Sequence, residues 1–388
     1  MADEHPVGGE SEGQTFLIGQ NLYLRGIAEK DAQTVAAWHP NPFPLPPDIA
    51  LDRLRKEVPK AKERDEHCLI ACRRDNDQPV GSVTYHAPGW HRAWVTLHAN
   101  PALSSERRVA IKTELAGLIV PYLVMERDLM AVELVVEGNE PALEAAAAEI
   151  GMRRAYRLRQ ALLIDGQRRD QIGYEALHPA WVSRLGMPPD AEEGPVEREV
   201  PAPAPRSWPD AGESPPAGAV MIGERIYLRA VQADDADLLA RWSRQETETF
   251  FDNGRPVRSP IAKAAFHRRL AKADPPTWIR FAICLRESGE LIGTNGIAEI
   301  DWVHRTAETE TDIARPAYRG AGYGTEAKHL LLAYAFDRLG LHMVRSYVGE
   351  PNTRSAAALR KQGYRDAGRV VWAWLKDGQY ASELLFDL

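Results

Sequence analysis

Residues 306–330 read TAETETDIARPAYRGAGYGTEAKHL, and the reading of the fold starts from them. Ala307–Ala314 alternates in character and predicts a strand. Tyr323–Leu339 carries apolar residues at helical spacing and predicts a long helix. Between them lies Arg319-Gly320-Ala321-Gly322-Tyr323-Gly324-Thr325. Glycines let the backbone turn tightly and approach a ligand with no Cβ in the way. The first turn of a helix leaves N–H donors unpaired, and its dipole favours negative charge. Strand, glycine-rich turn and helix start together form a cradle suited to a pyrophosphate. The loop is not a Walker A sequence, because Gly-Lys-Ser/Thr is missing. It also comes too late in its domain for the first turn of a dinucleotide-binding fold.

Outward from this loop, Ile226–Ala230 predicts a strand, followed by a helix opening at Asp234 or Asp235 with Leu238, Leu239 and Trp242 on one face. A polar stretch leads to strands at Trp278–Leu285 and Leu291–Ile300, joined through Glu287-Ser288-Gly289-Glu290. After the long helix come a strand at Met343–Val348, a helix at Thr353–Gln362 and a closing hairpin about Asp377-Gly378. Helices falling between strands of a mixed sheet predict an α/β (α+β) layer architecture.

The pattern occurs twice. Residues 19–38 (GQNLYLRGIAEKDAQTVAAW) match residues 223–242 (GERIYLRAVQADDADLLARW) in Gly, Tyr-Leu-Arg, Asp-Ala, Ala and Trp. Gly81 after Gln-Pro-Val corresponds to Gly293 after Glu-Leu-Ile, and Asp165-Gly166-Gln167 to Asp377-Gly378-Gln379. Matches spread over a whole domain length indicate duplication rather than a short-period solenoid. Residues 186–218 hold nine of the 28 prolines and almost no large aliphatic side chains, the composition of a semi-rigid tether. Trp208 within it is an unusual residue to leave in water, so the segment could also lie along a surface. The expected organisation is a disordered tail over 1–17, one domain over 18–184, a Pro-rich linker over 185–220 and a second domain over 221–388.

Composition narrows the function classes. Hydrophobic residues at 44% and charged residues at 27% suit a soluble globular chain. A net charge of -7 argues against a non-specific nucleic-acid binder. Cys68, Cys72 and Cys284 make neither a disulfide framework nor a zinc pattern and are expected as small buried side chains. No run of eighteen apolar residues exists, and the polar N-terminus is unlike a signal peptide, so a cytoplasmic location is expected.

Residues 223–388 resemble the GNAT acyltransferase superfamily, and within it the branch containing the ribosomal-protein alanine N-acetyltransferases. The resemblance rests on the Arg319-x-x-Gly322-x-Gly324 loop and on four further segments in order. They are Ile226-Tyr-Leu-Arg-Ala-Val with Asp235-Ala, Ile300-Asp-x-x-His-Arg-x-Ala-Glu308, Asn352-x-x-Ser355 with Gly363-Tyr364 beyond it, and Asp377-Gly-Gln-Tyr380. The resemblance implies two tandem GNAT-type domains, each a mixed, mostly antiparallel sheet flanked by helices, with acetyl-CoA as acyl donor and no metal. Main-chain donors of Gly320, Ala321, Gly322, Tyr323, Gly324 and Thr325 would hold the CoA pyrophosphate, with Arg319 leading the loop. The strand end Asp312-Ile313-Ala314 would pair with the pantetheine arm, one N–H polarising the thioester carbonyl. Asn352 and Ser355 would lie near the sulfur. Many members place a thiolate-protonating tyrosine where this chain has Leu359, so that role falls to Ser355 or to water. Glu308 matches the family's Glu and is the expected base, directly or through a water; His304 is an alternative. Glu308, Glu310 and Asp312 share one strand face by period-two geometry. That face is either an acidic wall for a cationic amine, formed by Glu308 and Glu310, or a solvated surface. The family usually has a small or apolar residue where Glu310 stands, which points away from a ribosomal protein as substrate.

The first copy lacks the loop. Its equivalent, Ala99–Ile111, holds no glycine and places Glu106 where a pyrophosphate would lie; the preceding strand, Arg92–His98, lacks the glutamates. Asn139 stands before a helix, while His91 and His98 read as surface or packing residues. A degenerate copy that folds without the usual use of CoA is expected. The expected activity is acetyl transfer to a primary amine, most simply of a small cationic molecule. The alternatives are a protein N-terminus or lysine as acceptor, or a non-catalytic acyl-CoA-binding module. A nucleic acid or membrane partner is not expected, and the chain is a monomer or homodimer.

Overall fold

The computed structural model describes residues 15–39, 45–61, 66–87, 91–137, 140–190, 194, 215–245, 259–270 and 272–388. Most of the Pro-rich segment with Trp208, most of the N-terminal tail, and Asn139 lie outside these residues. Backbone contacts divide the chain into two units, Met1–Arg154 with Ile172–Pro189, and Ala155–Gln171 with Asp190–Leu388.

The first unit runs β1 (Thr15–Ile18), β2 (Leu22–Gly26), α1 (Pro47–Ala61), β3 (Glu66–Arg73), β4 (Pro79–His86), β5 (Arg92–Ala99), α2 (Ser105–Pro121), β6 (Ala131–Glu137) and α3 (Pro141–Glu149). It then continues through β7 (Arg153–Ile164), whose greater part groups with the second unit, to β8 (Gln167–Leu177) and α4 (Pro179–Leu185). Strands β1 to β5 pair antiparallel in order and β5 pairs parallel with β6. Leu24, Val83, Val95, Leu115, Ile119, Leu123 and Leu134 fill the core.

The second unit follows a similar order, with two α-helices rather than one after its second strand and no helix after its last: β9 (Ala219–Ile222), β10 (Ile226–Ala230), α5 (Asp235–Gln245), α6 (Pro260–Leu270), β11 (Ile279–Leu285), β12 (Leu291–Asp301), β13 (Thr306–Ile313), α7 (Tyr323–Ala333), β14 (Met343–Gly349), α8 (Thr353–Lys361), β15 (Arg365–Lys376) and β16 (Gln379–Asp387). Its strands lie in the order β9-β10-β11-β12-β13-β14-β16-β15, antiparallel except for β13 beside β14. Leu228, Phe281, Ile297, Leu330, Leu331, Val344, Tyr364 and Phe386 form its core. The expected mixed sheet flanked by helices is present.

The recurrent Tyr-Leu-Arg…Asp-Ala sequence has a physical cause. Arg25 pairs with Asp31 at 2.7 Å and Arg229 with Asp235 at 2.8 Å, and each carboxylate also accepts a backbone N–H, from Ala28 and Gln232 respectively. Breaking such a pair would leave a charge uncompensated. Two features differ from the sequence reading. Helix α6 interrupts the polar stretch, started by Pro260 in the first turn with the Ser259 hydroxyl accepting from Ala262 N–H; it buries no side chain completely, so it leaves no apolar stripe to read. The long helix is regular only to Ala333. Residues Tyr334–Arg338 then form a wider turn in which Leu339 N–H reaches Tyr334 O at 3.1 Å. Tyr122–Glu126 makes the same wide turn in the first unit.

Residues 155–171 are anchored within the second unit. Arg159 gives its main-chain N–H and its guanidinium to fully buried Asp387, and its Nη2 to Gly194 O. Gly368 faces Tyr156 across β15 and β7 at φ +140°, where an added Cβ would lie 2.3 Å from Ala155 O and 2.5 Å from Tyr156 Cα. Both obstacles are backbone. Gly368→Ala should therefore destabilise the chain by roughly 2–4 kcal/mol, measured as a fall in the denaturant midpoint; an unchanged midpoint would show that β7 can move away freely.

Candidate active site

Strands β13 and β14 pair only through Thr306↔Met343, Ala307↔Val344 and Glu308↔Arg345, and then part. Just past this point Thr309 O accepts the Ser346 hydroxyl at 2.8 Å, and Thr309 Oγ1 and Tyr364 OH share a hydrogen bond of 2.6 Å. Side chains thus close the sheet where the main-chain ladder stops. Alternation along β13 decides which donors face the gap. Glu310 and Asp312 lie opposite Gly296 and Thr294 of β12, and Ala314 N–H reaches Ile292 O at 3.1 Å. The even-numbered residues therefore direct their N–H groups at β12, and Thr311 and Ile313 direct theirs at the gap. Of the expected trio Asp312, Ile313 and Ala314, Ile313 offers a donor to the gap; Thr311 supplies a second that the sequence reading missed. Sequence gives a strand's period but not which edge is open.

The glycine loop follows. Gly320 and Gly322 have φ of +79° and +87°, the left-handed region that favours glycine. Gly322 caps α7 with no side-chain acceptor, so the first-turn N–H groups of Tyr323, Gly324 and Thr325 have no capping oxygen. Nothing lies within 4 Å of a Cβ added at Gly320. These residues fit a pyrophosphate. Arg319 curls back onto β13, its Nε on Ile313 O at 2.8 Å and its Nη2 on Ala314 O at 3.2 Å; it fixes the loop to the strand end.

Arg225, absent from the sequence reading, braces the other side. It donates to Ala321 O at 2.9 Å and to Glu326 at 3.0 Å, and lies over the Tyr323 ring at 4.5 Å. Glu326 also takes the Arg225 and Ile226 main-chain N–H groups. No local pattern could have revealed a contact across about a hundred residues.

The acidic face of β13 carries graded roles. Burial pushes the Glu308 carboxyl up to about 7, reinforced by Glu299, Glu310 and Glu383 and opposed by Arg345. Glu310 instead lies 3.5 Å from Arg280, and Glu299 takes Arg345 at 2.6 Å. Asp312 is exposed. Of the three, half-buried Glu308 alone combines a neutral-range carboxyl with a place at the parting of the strands. His304 is engaged elsewhere: its Nδ1 accepts Leu163 N–H at 3.0 Å, its carbonyl accepts Arg168, and its N–H reaches Asp301. Asn352 caps α8, its Oδ1 accepting Ser355 N–H at 3.2 Å, which holds both residues at the helix start. Leu359 is buried in the core.

The equivalent place in the first unit differs in kind. Ser104, not a left-handed glycine, caps α2, and its hydroxyl accepts Arg107 N–H at 3.4 Å. Glu106 stands in the first turn. A capped, acidic helix start repels an anion.

A family model described as an acetyltransferase (GNAT) domain matches residues 225–365. An uncharacterized N-acetyltransferase of Bacillus licheniformis is 29% identical over 171 residues, 42% of this chain and 90% of that protein. A second, from Bacillus subtilis, is 28% identical over 152 residues, 38% of this chain and 84% of that protein. A spermidine N(1)-acetyltransferase of Vibrio cholerae is 30% identical over 90 residues, 23% of this chain and 51% of that protein. The match lies across the strand, loop and helices just described, and it makes residues 225–365 similar to a GNAT acetyltransferase domain.

Proposed function

We propose that the second half of the chain, residues 221–388, transfers the acetyl group of acetyl-CoA to the primary amine of a small cationic molecule, by direct attack in a ternary complex. The observation that carries this reading is the placement of Glu308 at the last pair of β13 and β14, beside an uncapped, glycine-opened helix. Main-chain donors of residues 320–325 hold the pyrophosphate, and Thr311 and Ile313 N–H groups take the pantetheine arm or polarise the thioester carbonyl. Glu308 removes the proton from the incoming ammonium, for which a carboxyl near neutrality is suited. Asn352 and Ser355 border the acyl end. Glu299, Glu310 and Glu383 outnumber the Arg345 and Arg280 guanidinium groups beside them, and the net negative charge favours a cationic amine over a neutral one. The similarity to a spermidine acetyltransferase supports a polyamine-like acceptor.

The first half, residues 18–184, is read as a degenerate copy of the same domain that folds without holding CoA, and residues 185–220 as the link between the copies. The repeated Arg–Asp pairs, the repeated wide turn and the Ser104 cap support this. Among the described residues no helix is long and apolar enough to cross a membrane.

Calorimetric titration of acetyl-CoA into the full-length chain should give one site per chain, and thiol release should follow addition of a polyamine but not of a neutral amine of similar size. Two sites per chain would refute the degenerate-copy reading. Because residues 155–171 group with the second unit, variants of the intact chain are a cleaner test than separated halves. Equal activity on a protein N-terminus would move the assignment to a peptide acceptor.

A further inference from the structure

Strands β5 and β6 of the first unit pair in parallel as β13 and β14 do in the second, so positions beside the candidate site have counterparts in the same chain. Arg92↔Ala131 opens one pair of strands and Thr306↔Met343 the other. Three residues further on, Val95 and Leu134 correspond to Thr309 and Ser346. The neighbouring strands agree: Gly81 lies opposite Ala99 and Gly293 opposite Ile313, which again matches Val95 to Thr309 four residues back. Tyr364 gives its N–H to Leu359 O near the end of α8, and Met152 gives its own to Ala147 O near the end of α3. Three buried hydroxyl residues, Thr309, Ser346 and Tyr364, thus stand where the first unit buries Val95, Leu134 and Met152. The first unit closes this place with apolar side chains, and its ladder runs one pair further, to Val95↔Leu134. In the second unit the ladder ends at Glu308↔Arg345. Burying a hydroxyl costs free energy that its hydrogen bond roughly offsets. The fold does not ask for these three.

What the hydroxyls hold is the residue next to them. Thr309 follows Glu308 directly, and Ser346 follows Arg345, the residue opposite Glu308. Thr309 O accepts the Ser346 hydroxyl at 2.8 Å. The Thr309 hydroxyl shares a bond of 2.6 Å with Tyr364 OH and reaches Arg345 O at 3.4 Å. These contacts clamp the Glu308–Arg345 pair on the side where the main-chain ladder stops. Hydrogen bonds fix distance and direction, whereas the apolar contacts of the first unit are non-directional. Successive side chains of a strand point to opposite faces, so the Thr309 hydroxyl lies on the face away from the Glu308 carboxyl. It acts on that carboxyl through the main chain. We propose that Thr309, Ser346 and Tyr364 form a positioning cluster that holds Glu308 where it can take the proton of the incoming amine. This rests on the acetyl-transfer reading above. A misplacement of about 1 Å in a reacting group can lower a rate by about 100-fold. The cluster therefore weighs more on turnover than on the fold.

The test is a double-mutant cycle in the full chain, read as thiol release from acetyl-CoA with spermidine as acceptor. Tyr364→Phe keeps the ring and removes the hydroxyl. It should lower kcat by about 10-fold and leave the calorimetric affinity for CoA unchanged. In a Glu308→Gln background no carboxylate is left to position, and the same substitution should cost almost nothing further. A role in the fold alone would lower kcat by the same factor in both backgrounds, and that result overturns the proposal. Wild-type kcat in Tyr364→Phe overturns it as well. If Tyr364→Phe does not fold, Ser346→Ala takes its place in the cycle with the same expectations. Wild-type turnover in Glu308→Gln alone would remove the base, and the positioning role with it. No thiol release from the wild-type chain would instead remove the acetyl-transfer reading itself.

Discussion

Glu308→Gln should lower kcat/KM for amine acetylation by about 100-fold or more, the range for loss of a general base, and leave the fold intact or firmer. The carboxyl is raised to about 7 mainly by burial. Its basic form is therefore absent at low pH, and kcat/KM in the wild type should climb with pH through about 7. Glutamine cannot titrate, so the variant's residual rate should show no such limb. The same shift sets the stability. A carboxyl whose folded pKa lies above its unfolded value of 4.5 binds its proton better when folded. Stability then declines as pH rises from the unfolded value towards 7, and the penalty is fully present above it. Glutamine escapes that penalty, which is at most roughly 3 kcal/mol and smaller after solvent screening. Melting curves should converge for the two proteins at pH near 4 and diverge, in favour of the variant, towards pH 8. A rate loss of only a few-fold would remove Glu308 from the base role.

Gly322→Val should weaken acetyl-CoA binding by about 100-fold, equivalent to losing two charge-assisted hydrogen bonds of roughly 1.5 kcal/mol each. Gly322 has φ +87°, which a β-branched residue can scarcely adopt, and its Cβ would meet Arg225 Nη2 at 3.2 Å. The loop must then shift, turning the first N–H groups of α7 away from the phosphate position. Ala327, Leu330 and Leu331 remain to hold the helix in the core, so the loss should fall on binding more than on folding. Calorimetry on a variant with a native circular dichroism spectrum decides the matter. An affinity within a few-fold of wild type would show that the phosphate lies elsewhere.

The two expectations draw on different levels of information. The glycine loop was legible because its chemistry is local: three alternate glycines between a strand and a helix leave few other uses for the segment. The repeat was legible for a similar reason, since Arg25 with Asp31 and Arg229 with Asp235 lie six residues apart and recur with their neighbours. Glu308 could be chosen from its position in a resembling segment, but Glu308, Glu310 and Asp312 look alike as letters. Their separation into a half-buried carboxyl raised towards neutrality, an arginine-paired one and an exposed one came from Arg280, Glu299 and the sheet around them.

Sequence by itself thus gave most of the order of elements in the second unit, a recurrent Arg–Asp motif and a glycine-rich turn before a helix, because periodicity, glycine placement and capping residues act over a few positions. Tertiary structure alone decided which N–H groups of β13 face the gap, that Arg225 braces the loop, and that His304 is engaged by Leu163 and Arg168. Each of these depends on desolvation or on contact between residues far apart in the chain, and neither leaves a trace in local spacing.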